Sequence, residues 1–437
     1  MGMKTDLAAY GSLALGADPD VADSTDFGTP TLGVGSCLRG KRVGMVVFSL
    51  YPADPRPRRA VDALLKEGMN VDLICEGEKQ SPKREKLDTL EVIRIPIQHS
   101  RGSALSYAYQ YSAFILISAA ILAWRSLRRR YHLMYVHNMP DILVLTALLP
   151  KLFGAKVILD QHDPMPELMR TIFKLDEKSF GVRAIRRLEK WSIARADLVI
   201  TVNAACKRIF SSRSCPPGKI GVVMNAPDEE IFPLQAQFVP KSLNPDPNRP
   251  FVVMYHGSLV ERNGVDLAVD ALSLVRDAVP TATLRIYGRK TPFLEQVMKH
   301  ARSRGVNSKV QYLGPRSLER LAREIEDCDV GIIPNHRNAF TEINTPTRIF
   351  EYLAMGKPVI APSTPGILDY FTQDSLLLFE PGNPADIARQ IGYAAHNYHD
   401  AIRSVARGQN IYLQHTWKQE RKNLVALVAE LLSKREA

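Results

Sequence analysis

Short apolar runs alternate with longer amphipathic stretches from residue 41 onward. In the first half of the chain the apolar runs cover residues 42–50, 70–75, 90–97, 133–138, 155–160, 197–202 and 220–225. Strands that are apolar on both faces are typical of parallel sheets with helices packed against both sides. The pattern predicts one doubly wound α/β domain over residues 41–232, preceded by a disordered tail over residues 1–40.

A second alternation follows a proline-rich linker. Residues 233–250 hold five prolines and little periodicity, which indicates a connection between domains. Apolar runs then return at residues 251–257, 283–288, 310–314, 329–334 and 357–362. We predict a second doubly wound domain over residues 251–411 and a C-terminal helix within residues 412–437. Ligands of open α/β sheets bind beyond the carboxyl ends of the strands, so we expect a cleft where the two sheets face each other.

The helical region 105–130 raises the question of a membrane span, because it begins with twenty mostly apolar residues and ends in RSLRRR. Tyr107, Gln110 and Ser112 make its first half polar, and a span here would break the βα repeat. Two interpretations stay open. The region is either a core helix with a solvated basic end or a peripheral helix on an anionic membrane. The basic residues concerned are Arg125, Arg128, Arg129 and Arg130.

Composition narrows the class of protein and its partners. Hydrophobic residues make up 45% and charged residues 24%, as in an ordinary soluble globular protein. The net charge of +11 favours anionic partners such as nucleotide diphosphates or acidic phospholipids. No run of stacking aromatics accompanies the basic residues, which argues against nucleic acid. The five cysteines have no C-x-x-C spacing, so the sequence predicts neither a zinc site nor a disulfide framework. We therefore predict a cytoplasmic location, where thiols stay reduced.

The signals of a complete short helix lie in the sequence TPTRIFEYLAMG. Thr345 has the hydroxyl of an N-cap, Pro346 suits the first helical position, and Gly356 suits the left-handed position after the last turn. Arg348 and Glu351 share one helical face. The arginine near a helix start favours phosphate, and the carboxylate can accept from a diol such as ribose. The pattern indicates a nucleotide site, unless the two side chains simply pair with each other on a solvated face.

This sequence resembles the donor-site segment of GT-B glycosyltransferases of the family-4 type, the glycosyl transferases group 1. The resemblance implies that Glu351 binds the ribose of a nucleotide sugar, and that Thr345 and Thr347 at the helix start hold its diphosphate and sugar. The family's E-x7-E pattern has its first Glu where this chain has Ile343. Glu342, one residue earlier, is then expected to reach the sugar through a kinked loop.

The first loop of the second domain, in the sequence YHGSLVERNG, resembles the pyrophosphate loop of the same family. Gly257 lets the backbone approach a ligand, and Arg262 can neutralise a diphosphate from which the sugar departs. The chain departs from the family pattern, because Ser258 stands where Arg is common and Asn263 where Lys is common. A solvated loop charge is the alternative for Arg262. The resemblance places the nucleobase near two strand-end glycines, Gly288 and Gly314.

The first domain supplies polar residues at the ends of its strands. The sequence ILDQHDPMPE brings His162 to the carboxyl edge of the predicted sheet. His162 matches the histidine that the family places against the donor sugar, and a satisfied structural histidine is the alternative. The acceptor-side candidates are Asp54, Arg56, His137, Asn138 and Asp163. The opening loop at residues 49–64 lacks G-x-G-x-x-G, which argues against a dehydrogenase.

We interpret the chain as a retaining glycosyltransferase that moves a sugar from a nucleotide-diphosphate sugar to a saccharide or a lipid-linked saccharide. The resemblance implies retention and a GT-B fold, with two facing Rossmann-like domains and a C-terminal helix that crosses back to the first. His162, Arg262 and Arg348 are the expected catalytic residues, without a metal or a cofactor. A nucleotide-sugar epimerase of the same fold and a catalytically degenerate scaffold stay open as alternatives. A scaffold would not bind the donor, and only an epimerase would invert a sugar centre without an acceptor, so these two measurements distinguish the three functions.

Overall fold

The computed structural model describes residues 37–78, 81–97, 104–235 and 249–434. Most of the predicted tail (1–40) and of the predicted linker (233–250) lies outside these residues. The described strands form two separate sheets, of eight and six strands. Each sheet is built from one of the two series of apolar runs.

The first sheet contains every strand that the apolar pattern predicts in the first half of the chain. Its strands are β1 (Arg42–Leu50), β2 (Asn70–Glu76), β3 (Arg84–Leu87), β4 (Leu90–Ile95), β5 (Leu133–His137), β6 (Lys156–Gln161), β7 (Leu198–Thr201) and β8 (Ile220–Val222). They lie in the order β3-β4-β2-β1-β5-β6-β7-β8, and all pairs are parallel except β3 with β4. The apolar pattern misses β3, because this edge strand has the charged sequence REKL.

Helices cover both faces of the first sheet. They are α1 (Pro55–Lys66), α2 (Ala104–Ser126), α3 (Leu148–Leu152), α4 (Met165–Phe173), α5 (Phe180–Arg195) and α6 (Ala204–Arg213). Successive side chains of a strand point to opposite faces. In β1, Met45 and Val47 belong to one buried cluster, whereas Val46 and Phe48 belong to the other. The sheet is therefore the shared middle layer of two apolar cores.

The second sheet repeats this design with six parallel strands. They are β9 (Phe251–His256), β10 (Ala282–Tyr287), β11 (Val310–Gly314), β12 (Val330–Ile332), β13 (Val359–Pro362) and β14 (Leu377–Phe379), in the order β11-β10-β9-β12-β13-β14. The helices are α7 (Val265–Val275), α8 (Pro292–Ser303), α9 (Leu318–Glu326), α10 (Thr347–Ala354), α11 (Pro365–Leu368), α12 (Pro384–His396) and α13 (Tyr398–Gln414). Strand β14 was not predicted, although its sequence LLF is apolar.

The strand order reverses direction once in each sheet. The reversal lies between β1 and β5 in the first sheet and between β9 and β12 in the second. Loops that leave the carboxyl ends of such neighbouring strands diverge and open a crevice, where ligands of doubly wound sheets bind. The candidate residues after β1, β5, β6 and β9 all lie at these two places.

The last helix, α14 (Trp417–Ser433), returns to the first domain. Leu424, Val428 and Leu432 are buried in the same apolar cluster as the α1 residues Val61 and Leu64. An ion pair of 2.9 Å between Arg421 and Glu67, at the end of α1, holds the same contact. The chain therefore has the C-terminal crossover helix that the sequence predicted.

Helix α2 has one buried face, as a core helix does, and the interpretation as a peripheral membrane helix stays a prediction. Its inner face is part of the core, with Phe114 and Leu122 almost completely buried. Its outer face is also apolar, because Leu116, Trp124 and the following Leu127 are all more than half exposed. Within the described residues, no helix has both the length and the apolar character that crossing a bilayer requires.

Part of the basic end of α2 forms ion pairs inside the first domain. Arg125 is buried and pairs with Glu91 and, at 3.0 Å, with Asp72. These carboxylates lie near the amino ends of β4 and β2, so the basic end of α2 lies at the sheet edge opposite the cleft. Arg128 stacks its guanidinium 3.8 Å from the ring centre of Trp124 and stays exposed. The expectation that all four arginines are available to headgroups is therefore wrong for Arg125.

Candidate active site in the interdomain cleft

A buried ion pair anchors the first-domain side of the cleft. Asp54 is the N-cap of α1 and accepts from the backbone N–H of Arg56. The Arg56 side chain turns inward, where its Nη2 lies 2.5 Å from a carboxylate oxygen of Asp160 at the end of β6. Its Nη1 donates to the Val223 carbonyl and to the Asn225 side chain, at 3.1 and 3.0 Å. Arg56 is thus buried among internal partners, and these contacts give it a structural role rather than the acceptor contact we expected. Asp54 is half-buried, and its acceptor-side role stays a prediction.

Asp160 is the charged centre of this side of the site. Burial raises the pKa of its carboxyl group, but the charge and hydrogen bonds of Arg56, together with His162 and His137, outweigh burial and lower the pKa to about 2. The hydroxyl of Tyr135 donates to the same carboxylate at 2.9 Å. Asp160 is therefore an anion at any physiological pH, fixed by two donors from β5 and α1.

Two histidines lie against this anion. Nδ1 of His137 is 2.9 Å from Nε2 of His162, and it is 3.4 Å from a carboxylate oxygen of Asp160. Burial lowers the pKa of His137 to about 4 and lowers the pKa of His162 well below its usual value. Both rings are neutral at pH 7. His137 is completely buried and therefore does not contact an acceptor directly, whereas His162 is 18% exposed.

Asn138 shapes the turn that presents His162. Its side-chain NH₂ group donates to Gln161 Oε1 at 2.7 Å and to the Asp163 carbonyl at 2.9 Å, and its oxygen accepts from the backbone N–H of His162. These partners are the last residue of β6 and the two residues of the turn that follows it, so Asn138 acts on the site through that turn. The Asp163 side chain is half-buried, and burial raises the pKa of its carboxyl group. The positive charge of Arg262, from the second domain, opposes that rise.

On the opposite side of the cleft, Arg348 is held in place by the first loop of the second domain. Its Nη1 donates to the His256 carbonyl at 2.8 Å, and its guanidinium lies 4.8 Å from the ring centre of Tyr255. Gly257 has a φ of +130°, and a Cβ atom there would come within 3.2 Å of Arg348 Nη1. The glycine is thus needed both for its backbone conformation and for the close approach of the arginine.

Glu351 lies one turn along α10 with its carboxylate in the cleft. The side chain is 14% exposed, and its closest polar neighbour is Nε2 of His256 at 3.3 Å. Burial raises the pKa of Glu351 to about 7, although Arg348 and Arg59 act in the opposite direction. Among the described residues no ion pair joins Arg348 to Glu351, so the solvated pair that the sequence left open does not form. The carboxylate is largely desolvated and has acceptor capacity to spare.

The start of α10 differs from the predicted one. The N-cap is Pro346, not Thr345, and no side chain caps the first turn. The Thr345 hydroxyl instead donates to the Gly366 carbonyl at 2.6 Å and accepts from Asn203 of the first domain. Thr347, the first helical residue, lies with its hydroxyl 3.5 Å from the Asn225 carbonyl. The Ile349 N–H donates to the Pro346 carbonyl at 3.0 Å, and the N–H groups of Thr347 and Arg348 before it are open to water or to an anionic ligand.

Glu342 is turned toward Arg337, with which it forms an ion pair of 2.9 Å. Ile343, in the position of the family's first Glu, packs its side chain against the core of the first domain. The Ile343 carbonyl accepts from the side chain of Asn203 at 2.8 Å. This loop is therefore an interdomain contact, and Glu342 would have to leave Arg337 in order to bind a sugar.

The remaining loop residues of the second domain build the floor of the cleft. Asn263 Nδ2 donates to the Ser258 carbonyl at 2.7 Å, so Asn263 braces the loop that the family fills with Arg and Lys. Gly288 has a φ of +155°, and a Cβ atom there would lie 2.2 Å from the Gly257 carbonyl oxygen. Gly288 N–H donates to the Gly314 carbonyl at 3.2 Å. The glycines bring three strand ends close together, as backbone recognition of a nucleobase would require.

Arg262 lies at the mouth of the cleft. Its guanidinium is 5.8 Å from the ring centre of Phe340. It lines a cavity of about 420 Å³ between the end of α4 and the loop that follows β12. The other basic residues of this cavity are Arg170, Lys174 and Arg337. The positive charge of Arg262 also acts across the cleft, where it lowers the pKa of the Asp163 carboxyl group.

One group of described residues could hold a metal ion. The ligand atoms of His137, Asp160 and His162 lie within 4.8 Å of one another. However, Arg56 makes three contacts of 2.5 to 3.2 Å with the Asp160 carboxylate. A divalent cation would have to share that carboxylate with a fixed guanidinium, and the resulting repulsion disfavours a metal at this position.

Sequence reasoning missed His256 as a member of the site. It ends β9, is 4% exposed, and touches both Arg348 through its carbonyl and Glu351 through its ring. Burial lowers the pKa of its imidazole to about 3, so the ring is neutral. The available signal was a polar residue at the end of an otherwise apolar strand, directly before Gly257, at the point where the strand order reverses.

The fold and the cleft define a GT-B protein, and comparison with protein families agrees. Residues 53–226 match the glycosyl transferase 4-like domain, and residues 250–397 match the glycosyl transferases group 1. The two matches account for both doubly wound domains. The chain belongs to the GT-B glycosyltransferases of group 1, as the sequence resemblance predicted.

Individual relatives are distant. The probable glycosyltransferase WbjE of Pseudomonas aeruginosa is 23% identical over 224 residues, which cover 51% of this chain and 55% of the relative. The chain spans about half the length of the curated relatives that it matches. Among solved structures, sucrose-phosphate synthase of Thermosynechococcus elongatus has a TM-score of 0.73 at 16% identity, covering 90% of this chain and all of the other. HepE of Anabaena with UDP-glucose has a TM-score of 0.66 at 14% identity, covering 89% and 99%.

Proposed function

We propose that the protein is a retaining glycosyltransferase that moves a sugar from a nucleotide-diphosphate sugar to a saccharide or lipid-linked saccharide. The observation that carries this proposal is the desolvated carboxylate of Glu351, held beside Arg348 and the uncapped start of α10. A carboxylate accepts from the two hydroxyls of a ribose, and the helix start and the arginine attract the diphosphate. UDP-glucose is the first donor to try, because a GT-B structure of similar fold holds it.

In this proposal most of the rate enhancement comes from positive charge placed beside the leaving diphosphate. As the bond between sugar and diphosphate breaks, negative charge grows on the leaving diphosphate. Arg348, Arg262 and the first N–H groups of α10 stabilise that charge without a metal or a cofactor. His162 and Asp163 face the sugar from the first domain, and the cavity between α4 and the second domain admits the acceptor. Retention follows the family resemblance, and an NMR assignment of the anomeric configuration of the product tests it.

The decisive experiment measures donor binding to a Glu351→Ala variant. We expect the Kd for the donor to rise about 10- to 100-fold, because hydrogen bonds to a charged group contribute about 1.5–3 kcal/mol. Calorimetric titration with UDP-, GDP- and ADP-sugars gives the Kd and the preferred base. Since the pKa of Glu351 is about 7, wild-type affinity should weaken below pH 7, and the variant should lose this dependence.

The exposed Glu319 on α9 supplies the matched control, and Glu319→Ala should bind as the wild type does. A wild-type protein without affinity for any nucleotide sugar would instead be the degenerate scaffold. Inversion of a sugar centre without an acceptor would make it an epimerase.

We propose in addition that the outer face of α2 contacts an anionic membrane, which would favour a lipid-linked acceptor and a peripheral location. Trp124 and Leu127 offer exposed apolar surface, and Arg128 and Arg130 lie beside them. The double variant Trp124→Ser/Leu127→Ser is expected to bind phosphatidylglycerol vesicles about tenfold more weakly in a sedimentation assay. Leu274→Ser, a change of one exposed leucine on α7, should bind like the wild type. Equal binding by all three proteins would refute the contact.

A further inference from the structure

His137 and His162 form a pair whose protons can be placed by geometry. The 2.9 Å contact joins Nδ1 of His137 to Nε2 of His162, and the same Nδ1 is 3.4 Å from Asp160. The other nitrogen of His137, Nε2, is buried and has no hydrogen-bond partner among the described residues. His162 therefore has only Nδ1 left for a ligand, because its Nε2 is engaged with His137.

A single proton lies between the two rings, and it can belong to either. If His162 Nε2 carries it, His137 accepts through Nδ1 and must hold its own proton on Nε2. This arrangement buries an N–H without a partner and turns a lone pair of His137 toward the carboxylate of Asp160. Both consequences are unfavourable, because an unpaired buried donor loses its hydration and a lone pair repels an anion.

If His137 Nδ1 carries the proton, both penalties become smaller, because no N–H is buried without a partner and the lone pair that faces Asp160 belongs to His162 Nε2, at 3.8 Å instead of 3.4 Å. The Nδ1–H then points to His162 Nε2 and to the Asp160 carboxylate, and the buried Nε2 is a bare acceptor. The charged groups around the pair reinforce this choice. Asp160 stays ionised because Arg56 pairs with it, Tyr135 donates to its carboxylate, and Asp54 adds negative charge on the side of α1. A neutral His162 that accepts at Nε2 must carry its proton on Nδ1.

We propose that His137 is a positioning residue that holds His162 in the Nδ1–H tautomer, so that His162 presents a hydrogen-bond donor to a ligand oxygen in the cleft. This role rests on the proposed function only for the identity of the ligand, which is a hydroxyl of the donor sugar. His162 in this state binds and orients, and it does not accept a proton from a reacting hydroxyl through its exposed nitrogen. The buried His137 is thereby part of the donor site without touching the donor.

Nitrogen-15 NMR of the full-length protein labelled at histidine tests the tautomers directly. Long-range nitrogen–proton correlation spectra distinguish a protonated Nδ1 from a protonated Nε2 in each neutral ring. We expect His137 and His162 both to show the Nδ1–H pattern at pH 7, with assignments from the spectra of His137→Phe and His162→Asn. In His137→Phe the His162 signal should shift toward the Nε2–H tautomer. An Nε2–H pattern for His162 in the wild type would overturn the proposal, whether or not the protein is a transferase.

Kinetics of paired variants give a second readout. The amide N–H of an asparagine lies near the place of histidine Nδ1, and that of a glutamine lies near Nε2. Both variants should lose kcat/KM for the donor, and His162→Gln should lose about tenfold more than His162→Asn. His137→Asn should retain more activity than His137→Phe, with thermal unfolding confirming that both are folded. Better function of His162→Gln than of His162→Asn would contradict the assignment.

Discussion

Arg348→Ala should lower kcat by about 10²- to 10³-fold, with a smaller rise in the KM for the donor, as is typical when a preorganised charge at the reacting centre is lost. Arg348 is positioned before any ligand arrives, because the His256 carbonyl and the Tyr255 ring fix its guanidinium. The charge therefore requires little reorganisation as the diphosphate leaves. Arg262→Ala should act in the same direction but less strongly, since Arg262 lies at the mouth of the cleft. Steady-state kinetics at saturating acceptor separate kcat from KM.

Arg276→Ala, at the position directly after α7, is the control for the loss of one positive charge, because Arg276 is exposed and belongs to the same domain. Arg348→Lys keeps the charge but loses the planar fork, and it should recover only part of the activity. Thermal unfolding of each variant detects any collapse of the loop around Gly257. Unchanged turnover in folded Arg348→Ala would remove the charge-based mechanism.

Arg56→Met is expected to destabilise the first domain by about 3–5 kcal/mol, because it leaves the buried Asp160 without its counter-ion. The pair is enclosed on every side, with Arg56 8% and Asp160 1% exposed. The midpoint of denaturant unfolding, followed by a probe in the first domain, measures the loss. The double variant Arg56→Met/Asp160→Leu should recover much of it, since no unpaired charge then remains buried.

The pH dependence of the free energy of unfolding should have opposite signs in the wild type and in Arg56→Met. In the wild type the pKa of Asp160 is lowered to about 2, so its contribution is complete above pH 4 and is lost as the pH falls toward 2. Without Arg56, burial raises that pKa above its usual value, so the variant should lose stability as the pH rises through the acidic range. Arg58→Met, at the half-buried neighbouring position, should follow the wild-type curve. If the stability of Arg56→Met varied with pH as that of the wild type does, the pair of Arg56 and Asp160 would contribute little to the stability of the first domain.

Most strands were predictable because a strand that is buried on both faces has a continuous apolar sequence. β1 and β11 have the predicted bounds, and the other predicted strands differ by at most a few residues at their ends. β3 was missed because this edge strand has a charged sequence. β14 was not predicted although its sequence LLF is apolar and buried, and length is not the reason, since the three-residue strands β8 and β12 were predicted. Edge position is a property of the sheet, and no local pattern encodes it.

The site was predictable where one helix or one loop carries it. Glu351 and Arg348 follow from helical spacing alone, and the structure places both in the cleft. Contacts between distant parts of the chain were not visible, because a single sequence does not show which residues meet. Arg56 and Asp160 are 104 positions apart, and nothing in the loop after β1 distinguishes a buried arginine from a solvated one. Thr345 was misassigned as a cap for the same reason, since its true partner is the Gly366 carbonyl.

The crossover of α14 determines how the two halves can move. The chain passes from the first domain to the second after β8, and it passes back between α13 and α14. These two connections fix two points between the domains. Rotation of one domain about the line through both points is allowed, whereas rotation about other axes is restricted. Movement of the two domains apart has to break the ion pair of 2.8 Å between Lys174 and Glu261. It also has to break the hydrogen bonds that the Asn203 side chain of the first domain donates to the Ile343 carbonyl and the Thr345 hydroxyl of the second.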